Sequence, residues 1–485
     1  LKMKKTNFII ITFCVLFSAC KKDLTSLNVN AKAATKVPSV TLFTTGEKRL
    51  VDYYTSTSVA SAPFRVLSQE WTENSYVYEA QYNFSAYQAQ SGWWNNLYVG
   101  ALANLQAAKT NFFLDVSDPN VAVNDARIAD ILEVFAYDLL LNTYGNIPYS
   151  QSLNNTIPFP KYDDAKTVYA DLLHRLDTCI TGLGSTTSGA FVGTEGADLI
   201  YGASVAEWKK FAATLELKMA VRIAGVDAAT ATTAATKAVS AGVFTSNDDN
   251  ALLPYDPSSP TNSNPIWQAL VFSGRHDFVP ASLLVTTMVG WNDPRVPLYF
   301  TMYNGSYSGG TPGLGNGYGK FSDFTPQMQT PAYPGNILNY SQAEFWLAEA
   351  VARGIAVGGT VQSHYNNAIT ASIVFWGGSS SDAATYLAQP AVNYTTAAGT
   401  WQQKLGYQEW IANYNMNWDS WTDIRRLGYP NLDAISMPVA AHGNFPLRLV
   451  YPTNESGSNP TNWSAAVAAL PGGQDVVSAK LFWEP

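Results

Sequence analysis

Two stretches decide the fold: LYVGALANLQAAKTNF at residues 97–112 and IADILEVFAYDL at residues 128–139. In the first, Leu97, Ala101, Leu105, Ala108 and Phe112 recur at steps of three and four, and in the second Ile128, Ile131, Leu132, Phe135 and Leu139 do the same. That spacing places each set on one side of a 3.6-residue helix, so both segments read as amphipathic helices that need a neighbour to cover them. Trp208, Phe211, Leu215 and Met219 form a third stripe, Ala343, Trp346, Leu347 and Ala350 a fourth, and weaker patterns follow near 361–375, 401–414 and 417–427. They arrange as antiparallel pairs, 92–112 with 124–143, 164–182 with 205–223, 340–354 with 361–375, and 401–414 with 417–427. Small residues such as Ala101, Ala348 and Ala350 allow close approach within a pair, as in tetratricopeptide units. The expectation is a mainly α protein, with helical pairs at about 92–223 and 340–427 forming a tetratricopeptide-like scaffold.

Residues 245–340 have a different texture. Pro, Gly, Asn and Ser dominate, helical period is almost absent, and glycine-rich runs occur at 304–310 and 313–319. A long irregular segment inside a compact domain is usually functional or disordered. Tyr303, Tyr307, Tyr318 and Phe321 punctuate this one, which favours an ordered ligand-binding segment. Its glycines do not form a phosphate loop, because no GK[ST] follows them.

At the start, Lys4 and Lys5 precede a short apolar run from Phe8 to Phe17, followed by Ser18, Ala19 and Cys20. About ten apolar residues suit a signal peptide and are too few to span a bilayer. Small residues directly before a cysteine resemble a lipobox, with Phe17 departing from the usual leucine. Residues 1–19 are therefore expected to be a lipoprotein signal, Cys20 the lipidation site, 20–40 a lipidated tether, and 41–485 a single domain. Cys14 would leave with the signal, so Cys179 would keep the mature chain's one free thiol and no internal disulfide could form.

The net charge of -8 becomes more negative once Lys2, Lys4 and Lys5 leave, which argues against nucleic acid as a partner. Only 14% of residues are charged while 13% are aromatic, including 14 Trp and 27 Tyr. Rings and amides suit neutral hydrogen-bonding ligands such as sugars, although large cores also use aromatics.

Local chemistry offers two binding candidates. Trp71, Asn74, Tyr76 and Tyr78 combine ring platforms with an amide, and their alternation also fits a half-buried strand. Trp267, Arg275 and Phe278 lead into the irregular segment, where Tyr303 and Tyr307 follow; Arg275 can bond bidentately to a diol or carboxylate. Trp93, Trp94 and Trp208 are expected to pack between helices. Glu349 could act as a catalytic acid, but a glycosidase needs two carboxylates facing one cleft, so a structural ion pair with Arg425 or Arg426 is the expected role. Asp293 and Arg295 around Pro294 read as a local pair holding a turn. His174, His276, His364 and His442 form no ligand pair at helical spacing, so no transition metal is expected, while a calcium site built from loop carbonyls would leave little signature and stays open. No GxSxG surrounds a serine, and Cys179 lies on an apparent helix as a core residue.

Several further stretches occur in a fixed order: Tyr144-Gly145-Asn146-Ile147-Pro148-Tyr149; Asn292-Asp293-Pro294-Arg295; Gln342 to Arg353; Trp421-Thr422-Asp423-Ile424-Arg425-Arg426-Leu427-Gly428-Tyr429-Pro430; Pro446-Leu447-Arg448 with Tyr451-Pro452 and Asn459-Pro460; and Lys480-Leu481-Phe482-Trp483. This ordered set behind a lipobox resembles the SusD/RagB family of surface lipoproteins, most closely its SusD-like branch. The resemblance implies a SusD-like α–α superhelix with no catalytic activity or cofactor, anchored to the outer membrane by lipid only and facing outward. It further implies capture of oligosaccharides and their transfer to a SusC-like TonB-dependent transporter. Peptide cargo remains an alternative, as do a secreted carbohydrate-active enzyme and a protein-interaction scaffold.

Overall fold

The computed structural model describes residues 36–185, 187–435 and 445–484, so Cys20, the signal segment 1–19 and most of the tether 20–40 lie outside the described residues. The larger compact unit runs from Ser39 to Pro485 and opens with α1 (Ser39–Thr55), whose Phe43, Leu50, Val51 and Tyr54 form a buried stripe. Sequence spacing had placed the first scaffold helix at 92. α2 (Ala89–Asn95) passes through a wider π-helical turn, Asn96–Leu102, into α3 (Ala103–Asp115), and α4 (Pro119–Tyr144) returns alongside. α1 crosses α3 so closely that a Cβ on Gly46 would stand 2.7 Å from Leu105 Cγ.

The scaffold continues with α5 (Ala165–Gly182), α6 (Val205–Ile223) and α7 (Ala228–Ala241). Here the pairing departs from expectation, because α6 packs more extensively on α7 than on α5. The buried face of α7 is Ala231, Ala234, Ala235 and Ala238, which allow close approach and carry too little apolar bulk to announce a helix. Helix starts are locally encoded. Asp118, Asp164, Ser204 and Asp227 each accept a backbone N–H of the turn they precede, satisfying amides that lack an intrahelical partner.

Among the described residues three short antiparallel strand pairs punctuate the helices: β1 (Trp71–Glu73) with β5 (Phe278–Pro280), β2 (Ile147–Pro148) with β3 (Tyr162–Asp163), and β4 (Ala251–Leu253) with β6 (Gly335–Leu338). The stretch 245–340 therefore has its own order, bracketed by β4 and β6 and containing α8 (Ser282–Gly290). Leu284, Met288, Tyr299, Phe300, Phe324 and Met328 build a separate apolar cluster there, joined by Trp71, Trp376 and Trp410.

The second half of the scaffold comprises α9 (Tyr340–Ala352), α10 (Val361–Phe375), α11 (Ser380–Leu387), α12 (Trp401–Ala412), α13 (Asn417–Leu427) and α14 (Pro460–Ala468). Reciprocal caps start three of them: Asn339 with Gln342, Thr360 with Ser363, and Ser379 with Asp382. Buried charges tie helices together. Glu349 on α9 pairs with Arg426 on α13, Arg222 on α6 meets Asp138 on α4 at 2.7 Å, and Lys218 meets Asp419 at 2.6 Å. Arg425 bonds Glu484 at 2.7 Å and lies over the rings of Trp421 and Trp483. Asp293 and Arg295 are fully buried and bonded at 2.6 Å. Trp93, Trp94 and Trp208 are buried between helices, and Cys179 is buried, its thiol pushed up by that burial. Among the described residues no helix is long and apolar enough to cross a membrane.

Candidate functional site

Pairing of β1 with β5 brings together the two segments that local chemistry singled out separately. Glu73 lies opposite Phe278, and the Asn74 N–H and side-chain amide bond the carbonyls of Asp277 (2.7 Å) and His276 (2.6 Å). Beside this junction opens a cleft of about 740 Å³. Its walls come from the loop 56–60 after α1, from Glu73, Ser75 and Tyr76, from Tyr87, and from the stretch between Pro265 and Phe278.

Two rings offer themselves to a ligand. Tyr76 is 62% exposed and Tyr87 42% exposed, and Tyr78 meets Tyr87 edge-on at 5.9 Å, bracing it. The backbone here is unusual: Gln69, Tyr76, Tyr82 and Gln88 all adopt positive φ, a left-handed conformation that costs a non-glycine residue free energy. Such strain tends to gather at functional sites, because the surrounding fold must hold it in place. The brace is the glycine-rich loop after Gly310. Asn316, 5% exposed, donates to the carbonyls of Glu73 (3.0 Å) and Leu314 (2.8 Å), and Gln81 donates to that of Gly313.

The acidic side of the cleft is electrostatically distinctive. Glu73 accepts from the Ala80 N–H at 3.0 Å, while burial and the neighbouring Glu79 and Asp277 push its carboxyl up to about 8. Glu79 is fully buried, and burial pushes it up to about 7. Arg275 pairs with Asp277 at 2.7 Å.

Other expected binding residues fall elsewhere. Trp71 is corrected to a core residue: 1% exposed, it stacks on Phe324 at 4.2 Å, touches Phe278 at 5.6 Å and lies under the Arg65 guanidinium. Both faces of β1 are covered, so the indole has no open side. Phe278 is also mainly core, buried although it lines the cleft. Asn74 does not line the cleft and instead continues the β1–β5 pairing through its bonds to His276 and Asp277. Trp267 is half-buried and stacked on Phe272 beside the cleft. Tyr303 closes a turn with Ser306, and Tyr307 packs against the second apolar cluster; neither lines the cleft. Tyr87, Gln268 and the 56–60 loop carry no signal in the sequence, and only the strand pairing assembles them with Glu73. A larger groove of about 1090 Å³ runs along α5, α6 and α7, but no Phe, Tyr or Trp lines it. Among the described residues no group of three or more His, Cys, Asp or Glu is placed to hold a metal ion.

Comparison with known proteins gives a consistent picture. A SusD-like family model, described as starch-binding and associating with the outer membrane, matches residues 30–452. A solved chitin-binding protein shares 26% identity at a TM-score of 0.80, covering 92% of this chain and 99% of its own. A SusD-like protein from Bacteroides thetaiotaomicron shares 26% identity at 0.78 with the same coverage. A chitin-binding SusD homolog from Flavobacterium johnsoniae, at 24% identity, 0.78 and coverage of 91% and 98%, shows the same fold. No curated protein matches the chain.

Proposed function

The chain belongs to the SusD-like family of starch-binding, outer-membrane-associated proteins, and from that premise we propose that its cleft captures an oligosaccharide without cleaving it. The observation that carries this is the pair of exposed rings, Tyr76 and Tyr87, held beside strained backbone over a cleft of about 740 Å³ that also presents polar groups. A ring stacked on the apolar face of a sugar contributes about 0.5–1.5 kcal/mol beyond burial. Micromolar affinity requires about 8 kcal/mol, so two rings need the hydrogen bonds of Ser75, Gln268 and Asp277 beside them. Binding without cleavage is supported by how the nearby carboxyls are engaged: Asp277, which lines the cleft with Glu73, is paired with Arg275 at 2.7 Å, Glu79 is fully buried outside the lining, and Glu349 is held in its ion pair with Arg426. Hydrolysis of a glycosidic bond uses two carboxyls flanking the sugar.

In this reading the protein is tethered through a lipid on Cys20, faces outward, and passes its cargo to a SusC-like TonB-dependent transporter. The test is affinity electrophoresis of the Tyr76→Ala/Tyr87→Ala double variant in gels containing starch or chitin oligomers. Retention should fall at least about tenfold while the melting temperature stays unchanged, both rings being exposed. Retention equal to the wild type would remove this cleft as the binding site.

A further inference from the structure

We propose a second binding site, for a sugar unit that carries a carboxylate or sulfate group, in the pocket between α8 and α12. This pocket of about 380 Å³ is walled by the C-terminal end of α8, by residues 391–398 and by the first half of α12, and it shares no lining residue with the cleft of Tyr76 and Tyr87. Its size falls at the lower end of the roughly 300–1,000 Å³ of small-ligand pockets. Trp291 and Tyr407 line it as an edge-to-face pair with centroids 5.6 Å apart. Both are half-buried, so ring surface remains for the apolar face of a sugar to cover.

The charge of the pocket sets the class of ligand. Among the described residues lining it Lys404 is the one charged group, and no Asp or Glu is present. Its ammonium donates to the Tyr394 carbonyl at 2.8 Å and lies 5.0 Å from that ring, contacts that leave two N–H donors unspent, and it pairs with no carboxylate among the described residues. The Trp291 indole N–H and the Gln403 side-chain amide also line the pocket without a hydrogen-bond partner among the described residues. Gly399, at positive φ, lies against that amide where any Cβ would collide with it. Beneath the pocket the charges cancel. Arg295 and Asp293 are fully buried and bonded at 2.6 Å, and the Gln408 amide is spent between Arg295 and the Tyr386 hydroxyl. The lining therefore offers a surplus of donors and one positive charge without a counter-charge. A carboxylate or sulfate accepts from such donors and supplies the charge, whereas a neutral hexose supplies none. On a chain of net charge -8 an anion is repelled at long range, so a preference for one has to be built locally.

Isothermal titration at neutral pH with a galacturonate oligomer, a sulfated galactose oligomer and a neutral galactose oligomer of matched length tests this. At least one charged oligomer should bind about tenfold tighter than the neutral one, and Lys404→Gln should bring that ratio to about one. Preference for the uronate alone assigns a carboxylate, and preference for the sulfated oligomer alone assigns a sulfate. If Lys404→Gln does not fold, Trp291→Phe keeps a ring and removes the indole donor, and it should weaken the charged oligomer about threefold or more. Equal affinities for all three, no binding of either charged oligomer, or a preference that survives these substitutions would overturn the inference. None of these results bears on oligosaccharide capture at Tyr76 and Tyr87, which the double variant above tests separately.

Discussion

Trp71 and Tyr76 sit five residues apart and have opposite fates. The indole lies between Phe324, Phe278 and Arg65, and the phenol stands 62% exposed at the cleft. Trp71→Ala should therefore cost about 3–5 kcal/mol of stability, seen as a lower urea midpoint, because the cavity it leaves is enclosed on every side. An unchanged midpoint would return the indole to the surface. The residue types at 71–78 were legible as binding chemistry, but which of them faces a ligand was not. Alternation predicts one covered face of a strand, whereas pairing with β5 and the cluster from the irregular segment cover both faces of β1. Tyr76 escapes only because the chain turns left-handed there. That turn depends on contacts from residues more than 200 positions away, such as the Asn316 and His276 bonds.

At the scale of elements, helices with bulky stripes were readable and the others were not. α3 and α4 announce themselves through Leu105, Phe112, Ile131 and Phe135, while α7 buries four alanines and leaves almost no pattern. α1 is the instructive case. Its stripe was present, but its packing rests on a glycine, since Gly46 lies where any Cβ meets Leu105. Gly46→Ala should lose about 1–3 kcal/mol through overpacking, measured by thermal or urea unfolding, even though alanine is the better helix former. A gain in stability would mean that α1 and α3 separate at no cost. The irregular segment reads as loop because its order comes from β4, β5 and β6, each of which needs a distant partner or a cluster to exist.

Over the whole molecule, the ordered family motifs are legible because they mark buried polar joints between parts far apart in sequence. Arg448 donates to the Tyr144 carbonyl, Tyr451 to that of Asn146, Trp421 to that of Pro446, and Arg425 to Glu484. Residue types at such joints are constrained individually, whereas a ligand cleft is set by loops. Buried acids also give the fold a pH signature. Glu70, Glu73, Glu79 and Glu216 are raised by burial from 4.5 to between about 7 and about 8. The native state thus holds protons that the unfolded chain releases above about 4.5, so their contribution is full below that value and is lost as pH rises through about 8. His364, raised by its bonds to Glu344 and the Gly358 carbonyl, acts in the same direction above its ordinary value. The melting temperature should fall steadily between about pH 5 and about pH 8.5, and a rise across that window would contradict the burial of these groups. Replacing Cys20 by Ala should release the protein from the membrane fraction, and co-purification from solubilised outer membranes should recover a TonB-dependent transporter.

The most direct test of the central claim is a solved structure of this protein with a bound oligosaccharide. The account predicts a sugar ring stacked on Tyr76 or Tyr87, with its polar edge toward Glu73 and Asp277. A ligand seated in the α5–α7 groove, or on the glycine-rich loop away from these rings, would contradict it.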